Sequence, residues 1–134
     1  MAGGSGTRFW PRSRKDSPKQ IIDLMGQGTL IRQTVDRIKE LDTANKIYIV
    51  ASEFLCNKIK VEIPEIPESN FIKEPSGKNT APAIGLAALH IYKKDPTGVM
   101  AIYPSDHLIK GRKQFISTMK AAEAIAEKEN ILMT

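Results

Sequence analysis

Lys46-Ile47-Tyr48-Ile49-Val50-Ala51 is a short β-rich run with almost no polar interruption, the pattern of a parallel strand buried on both faces. Ser52 or Glu53 opens a weaker helical pattern that lasts to about Ile63, where Pro64 and Pro67 stop it. Asn70-Phe71-Ile72-Lys73-Glu74 is a second strand candidate. Strand, helix and strand in so short a span predict a βαβ unit with parallel strands.

The same alternation extends both ways. Thr29 is an N-cap candidate ahead of Leu30, Ile31, Thr34, Val35, Ile38 and Leu41, which follow helical spacing. Residues 79–92 carry no charge, yet Ile84, Ala88 and Ile91 recur at helical spacing; Thr80 can cap this helix and Pro82 is tolerated in its first turn. Val99 to Tyr103 reads as a third strand. Phe115, Met119, Ala122 and Ala126 line one face of a helix from about Arg112 to Glu129, and Asn130 to Thr134 begins a fourth strand. The expected fold class is α/β, a mostly parallel sheet with helices on both faces. Residues 1–28 hold five of the nine glycines and read as loop with at most short structure. Glycine-rich phosphate loops in such folds follow a first strand, and only Met1 precedes Ala2. The last strand has nothing after it. Both edges are therefore expected to be cuts in a larger domain.

At 134 residues, 41% hydrophobic and 26% charged, the chain has the size and composition of one globular domain. It contains no run of about 18 apolar residues and no signal-peptide h-region. A single cysteine, Cys56, excludes an internal disulfide and a Cys-based metal cage, and a reducing cytoplasm is the expected setting. The net charge of +5 is concentrated: residues 8–20 hold Arg8, Arg12, Arg14, Lys15 and Lys19 against Asp16 alone. The rest of the chain carries 15 bases and 14 acids. Nucleic-acid binders spread their bases along a face and interleave aromatics. Positive charge packed beside a glycine cluster suits a small, multiply charged anion instead.

Four segments can carry chemistry. Gly3-Gly4-Ser5-Gly6-Thr7-Arg8 has the glycines that let successive backbone N–H groups face phosphate oxygens, although it matches neither the P-loop nor the dinucleotide fingerprint. Arg8 behind it and Lys19 in Pro18-Lys19-Gln20 are cations able to neutralise phosphates. In Pro104-Ser105-Asp106-His107, Asp106 follows an apolar strand, where ligands of open α/β sheets collect and where one carboxylate commonly anchors Mg²⁺. A turn or cap role fits Asp106 equally well. Glu74 and Asn79 flank the loop into the uncharged helix, where they could read the hydrogen-bonding edge of a base, or merely cap a loop.

Taken in order, Gly3 to Arg8 with Trp10-Pro11 and Pro18-Lys19-Gln20, then Glu74-Pro75 with Asn79-Thr80-Ala81-Pro82-Ala83-Ile84, then Pro104-Ser105-Asp106-His107 resemble the mannose-1-phosphate guanylyltransferases, within the sugar-nucleotidyltransferase superfamily. The resemblance covers essentially the whole chain but only the N-terminal, nucleotide-binding portion of that family's Rossmann-like catalytic domain. It implies GTP and mannose 1-phosphate as partners, Mg²⁺ as cofactor, and no nucleic acid or membrane; a homo-oligomer is compatible with it. By the same resemblance, the backbone of Gly3, Gly4, Ser5, Gly6 and Thr7 holds the GTP phosphates. Arg8 binds the leaving pyrophosphate and Lys19 contacts the phosphate being transferred. Glu74, Asn79 and Thr80 lie near guanine and ribose, Ser105 belongs to the nucleotide site, and Asp106 binds Mg²⁺. Lys78 stands where the family often shows arginine, keeping the charge but not the planar fork. Two alternatives stay open: a transferase for another base or sugar, and a non-catalytic nucleotide-sensing domain of the same fold.

Overall fold

The computed structural model describes residues 1–2, 10–11, 18–23 and 26–129. Helix α1 (Leu30–Ile38) starts where Thr29 Oγ1 accepts from the Arg32 N–H, as a side-chain cap does. Strand β1 (Ile49–Ser52) leads directly into α2 (Glu53–Glu62), whose cap is the Ser52 hydroxyl accepting from the Leu55 N–H. Strand β2 (Phe71–Glu74) then pairs parallel with β1, with Ile49 opposite Phe71 and Val50 opposite Ile72. The expected βαβ unit is present.

Alternation along the paired strands sends side chains to both faces. Ile49, Ala51 and Phe71 join Ile31 and Val35 of α1 and Leu55, Cys56 and Ile59 of α2 in the larger core. Val50 and Ile72 point the other way, against Ala83 and Ala87 of α3 (Thr80–Tyr92). Helices therefore cover both faces of the sheet, as an α/β reading requires. Ala83 and Ala87 are the buried residues of α3, and Leu86, Tyr48, Met1 and Met100 pack around them half-buried.

The third strand is the main departure. Residues 99–103 are not a strand; Met100 packs against the Val50–Ile72 face, and the backbone bonds of this stretch among the described residues run to Met1. The Met1 amino group donates to the Tyr103 carbonyl at 2.8 Å and the Ser105 N–H donates to the Met1 carbonyl at 3.1 Å, a parallel pattern. Ala2 N–H donates to the Val50 carbonyl at 3.0 Å on the other side. Met1–Ala2 thus lies between β1 and the 103–105 segment. Propensity without a neighbour does not make a strand. The expected strand at 130–134 lies outside the described residues.

Helix α4 (Arg112–Glu129) buries no residue fully, yet Phe115, Met119, Ala122 and Ala126, the face expected from the sequence, are half-buried, together with Ile116. It is held at its first turn. The Arg37 guanidinium, buried at the end of α1, lies 5.2 Å from the Phe115 ring centre, and Arg112 donates to the Asp36 carbonyl and pairs with Glu40.

Asn70, expected to open β2, instead ends a single turn of 3₁₀ helix (Glu68–Asn70) and is buried. Its side-chain amide donates to the carbonyls of Asn45 at 2.7 Å and Ile47 at 3.1 Å, tying the entrances of both strands together. Asn70→Ala leaves both carbonyls without this donor. It should destabilise the chain by about 1–3 kcal/mol, seen as a lower urea midpoint at unchanged slope. An unchanged midpoint would mean that water replaces the amide at no cost.

Candidate active site

The carboxyl ends of the parallel segments share one edge of the molecule. Glu74 is the last residue of β2, and Ser105 and Asp106 follow the extended stretch beside Met1. Ser105 is buried through its bond to the Met1 carbonyl, and Asp106, half-buried, projects beyond it. Both Asp106 and Glu74 act electrostatically on the Met1 amino group, which burial nevertheless holds below its ordinary pKa.

Lys19 reaches this edge from the opposite end of the sequence. It opens a 3₁₀ turn (Lys19–Ile21) behind Pro18, whose extended backbone (φ −66°, ψ 150°) fixes the direction of entry. The next residue, Gln20, is fully buried and donates through its amide to the Ala2 carbonyl at 2.6 Å. That bond pins the turn to the segment beside β1 and leaves the Lys19 stem to cross to Asp106. The ammonium lies 2.5 Å from Asp106 Oδ2, with the two side chains 20% and 24% exposed. Burial alone would raise the Asp106 carboxyl. The hydrogen bond and charge of Lys19, with His107 adding, outweigh it and hold the group below the ordinary carboxylate range. The carboxylate is therefore ionised at neutral pH, and the pair's contribution persists above the ordinary aspartate pKa. It is lost only as pH falls through the lower folded value.

The base-reading candidates sit apart from this pair. Thr80 was expected to cap α3 but is its first helical residue, exposed; Asn79 holds the cap position without making a side-chain cap bond. Asn79 has φ 67° and ψ −162°, a region nearly closed to any residue with a side chain and costing on the order of 1–3 kcal/mol. The strained backbone leaves the amide exposed at the mouth of the loop after β2, with the N-terminal turn of α3 free of a side-chain cap. No contact joins Asn79 or Thr80 to Lys19 or Asp106 among the described residues. Gly3, Gly4, Ser5, Gly6, Thr7 and Arg8 lie outside the described residues. His107 and His90 are both exposed, so the uncharged helix does not use His90 as a core residue.

Gln20 was missed as a positioning residue. Its place directly after Lys19 was the available signal, but a buried glutamine declares itself only through its partner. Among the described residues no three His, Cys, Asp or Glu side chains cluster. The ionised Asp106 carboxylate is a donor of the kind Mg²⁺ takes, since Mg²⁺ is held by one or two carboxylates together with substrate phosphates rather than by an all-protein cage; the Lys19 ammonium stands on its Oδ2.

No helix among the described residues is long and apolar enough to cross a membrane. The family model for nucleotidyl transferases matches residues 1–134. A mannose-1-phosphate guanylyltransferase of Escherichia coli is 36% identical over 141 residues, covering 98% of this chain and 29% of the relative. One from Salmonella montevideo is 37% identical over 134 residues, covering 95% and 27%. An alginate biosynthesis protein AlgA of Pseudomonas fluorescens is 35% identical over 140 residues, covering 99% and 28%. The chain spans less than a third of the length of these curated relatives. With the whole of its length matched and a parallel α/β framework beneath it, the chain belongs to the nucleotidyl transferase family.

Proposed function

We propose that this chain carries the nucleotide half of a mannose-1-phosphate guanylyltransferase site, in which GTP and mannose 1-phosphate give GDP-mannose and pyrophosphate. The observation that carries the reading is the Lys19–Asp106 pair: a cation and a carboxylate from positions 87 residues apart, meeting at the carboxyl edge of a parallel sheet. The relatives' names supply the substrates.

A phosphate oxygen of the sugar phosphate attacks the α-phosphorus of GTP. One P–O bond forms there, the bridging bond to the β-phosphate breaks, and pyrophosphate leaves. The attacking oxygen is already ionised at neutral pH, so the site needs alignment and charge neutralisation rather than a general base. Lys19 holds its charge at the transferring phosphate, and Arg8 takes the departing pyrophosphate. The backbone of Gly3 to Thr7 supports the triphosphate, while Glu74, Asn79 and Thr80 face guanine and ribose beside Lys78, and Ser105 fixes the start of the Asp106 turn. Mg²⁺, held by Asp106, would add charge neutralisation at the phosphates.

Pyrophosphate release is the test, in a catalytically complete protein carrying this segment. GTP should outperform UTP, dTTP and ATP with mannose 1-phosphate as acceptor. Asp106→Asn, nearly isosteric but neutral, should keep the fold and lose most Mg²⁺-dependent turnover. Preference for another nucleotide would move the chain to a different transferase. Normal turnover of the asparagine variant at low Mg²⁺ would make Asp106 a turn residue. Nucleotide binding without any turnover would favour a sensing domain.

A further inference from the structure

The turn that carries Asp106 is held from two sides. On the sheet side, Met1 bonds the Tyr103 carbonyl and the Ser105 N–H. On the other side the hold is made of rings. The Tyr103 side chain packs against Phe115 of α4, with ring centres 6.1 Å apart and planes tilted by 58°, within the range where aromatic pairs attract. Phe115 in turn lies 5.2 Å from the Arg37 guanidinium, which also acts electrostatically on the Tyr103 hydroxyl. Arg37 is 8% exposed, donates to the Thr34 hydroxyl at 3.4 Å and leaves its Nε without a hydrogen-bond partner among the described residues. Burying a guanidinium in this state is costly. A cation attracts a ring from over its face, so the arrangement fixes where the Phe115 ring sits rather than merely filling space. The Arg112–Glu40 pair at the same junction is about half exposed and contributes little.

We propose that Arg37 and Phe115 are positioning residues which, through Tyr103, hold the Ser105-Asp106 turn so that its carboxylate faces the candidate site. The proposal rests on Asp106 belonging to that site. Helix α1 is packed into the larger core through Ile31 and Val35, so the stack ties the turn to the best-buried part of the molecule. No hydrogen bond joins Arg37 or Phe115 to Lys19 or Asp106 among the described residues, and their effect therefore runs through Tyr103. A site group held about 1 Å out of place can lose on the order of 100-fold in rate, which gives a remote stack of side chains its leverage.

Amide hydrogen exchange of the whole 134-residue chain, followed by NMR, compares wild type with Phe115→Leu, Arg37→Met and Arg37→Lys. The expected result is Ser105 N–H exchange about tenfold faster in the first two, the scale of one lost ring contact, with the amides that pair β1 to β2 unchanged. Arg37→Lys, which keeps a cation for the ring, should recover most of the protection. In a catalytically complete protein carrying this segment, Phe115→Leu and Arg37→Met should lower kcat about tenfold at little-changed KM for GTP. Asn70→Ala, which loosens the opposite ends of the strands, should leave kcat alone. Unchanged exchange at Ser105, equal acceleration of all amides, or an equal fall of kcat in Asn70→Ala would reduce the stack to ordinary packing and overturn the proposal. So would local loosening with normal kcat where Asp106→Asn has lost turnover. Normal turnover of Asp106→Asn would instead sink the reading of the site, and the proposal with it. If Phe115→Leu does not fold, the two arginine variants decide by the same criteria.

Discussion

Lys19→Ala, in a catalytically complete protein carrying this segment, is expected to lower kcat by about 100-fold or more while leaving the KM for the sugar 1-phosphate nearly unchanged. The ammonium is held at the carboxyl edge of the sheet by a backbone that Pro18 and Gln20 fix, so its charge is aimed before substrate arrives. A preorganised charge counts most where charge shifts, at the α-phosphorus and the bond to the leaving group. Contacts to the sugar phosphate in its ground state are made elsewhere and should survive. Lys19→Arg, which keeps the charge but spreads it over a planar fork, should fall between wild type and the alanine variant. Near-normal kcat in a folded alanine variant would remove Lys19 from the site.

What could be read ahead of the structure follows the range of the interaction involved. The caps at Thr29 and Ser52 are local, each a side chain bonding a backbone N–H three residues on, and both positions were legible. So was the half-buried face of α4, because helical spacing alone sets it. At Asn79 the same reasoning failed: Thr80 was expected to cap α3, but Asn79, the stronger capping type, holds that position, and the chain enters α3 through a backbone that few side chains tolerate. The run from Val99 to Tyr103 has strand propensity but no strand ladder among the described residues, which no local pattern reveals. Asn70 and Gln20 were read only as sequence neighbours, and their weight comes from carbonyls 25 and 18 residues away. The meeting of Lys19 with Asp106 is longer-ranged still. Spacing did not predict it; the family resemblance gave Lys19 to the transferring phosphate and Asp106 to Mg²⁺, and their contact follows from the sheet bringing the ends of its segments to one edge.

The second large effect concerns the 134 residues on their own. They are expected to release no measurable pyrophosphate from GTP and mannose 1-phosphate, and to bind guanine nucleotide weakly at best. The relatives named for this activity are more than three times as long. Among the described residues the candidate site offers Asp106 with its paired lysine, Glu74 and a strained asparagine, and no three His, Cys, Asp or Glu side chains cluster there. Holding both substrates in line can supply about 7–11 kcal/mol of the barrier reduction, so a site that aligns only one of them loses nearly all of the rate. Leu89 and Tyr92 on α3 are each 63% exposed, and Ile102, Leu108 and Ile125 also leave large apolar side chains open to water. The same chain should therefore associate as its concentration rises, which sedimentation velocity would detect, and association should not restore turnover. Robust pyrophosphate release from a dilute, monomeric sample would place the sugar site inside residues 1–134, and the catalytic role assigned to further chain would have to be abandoned.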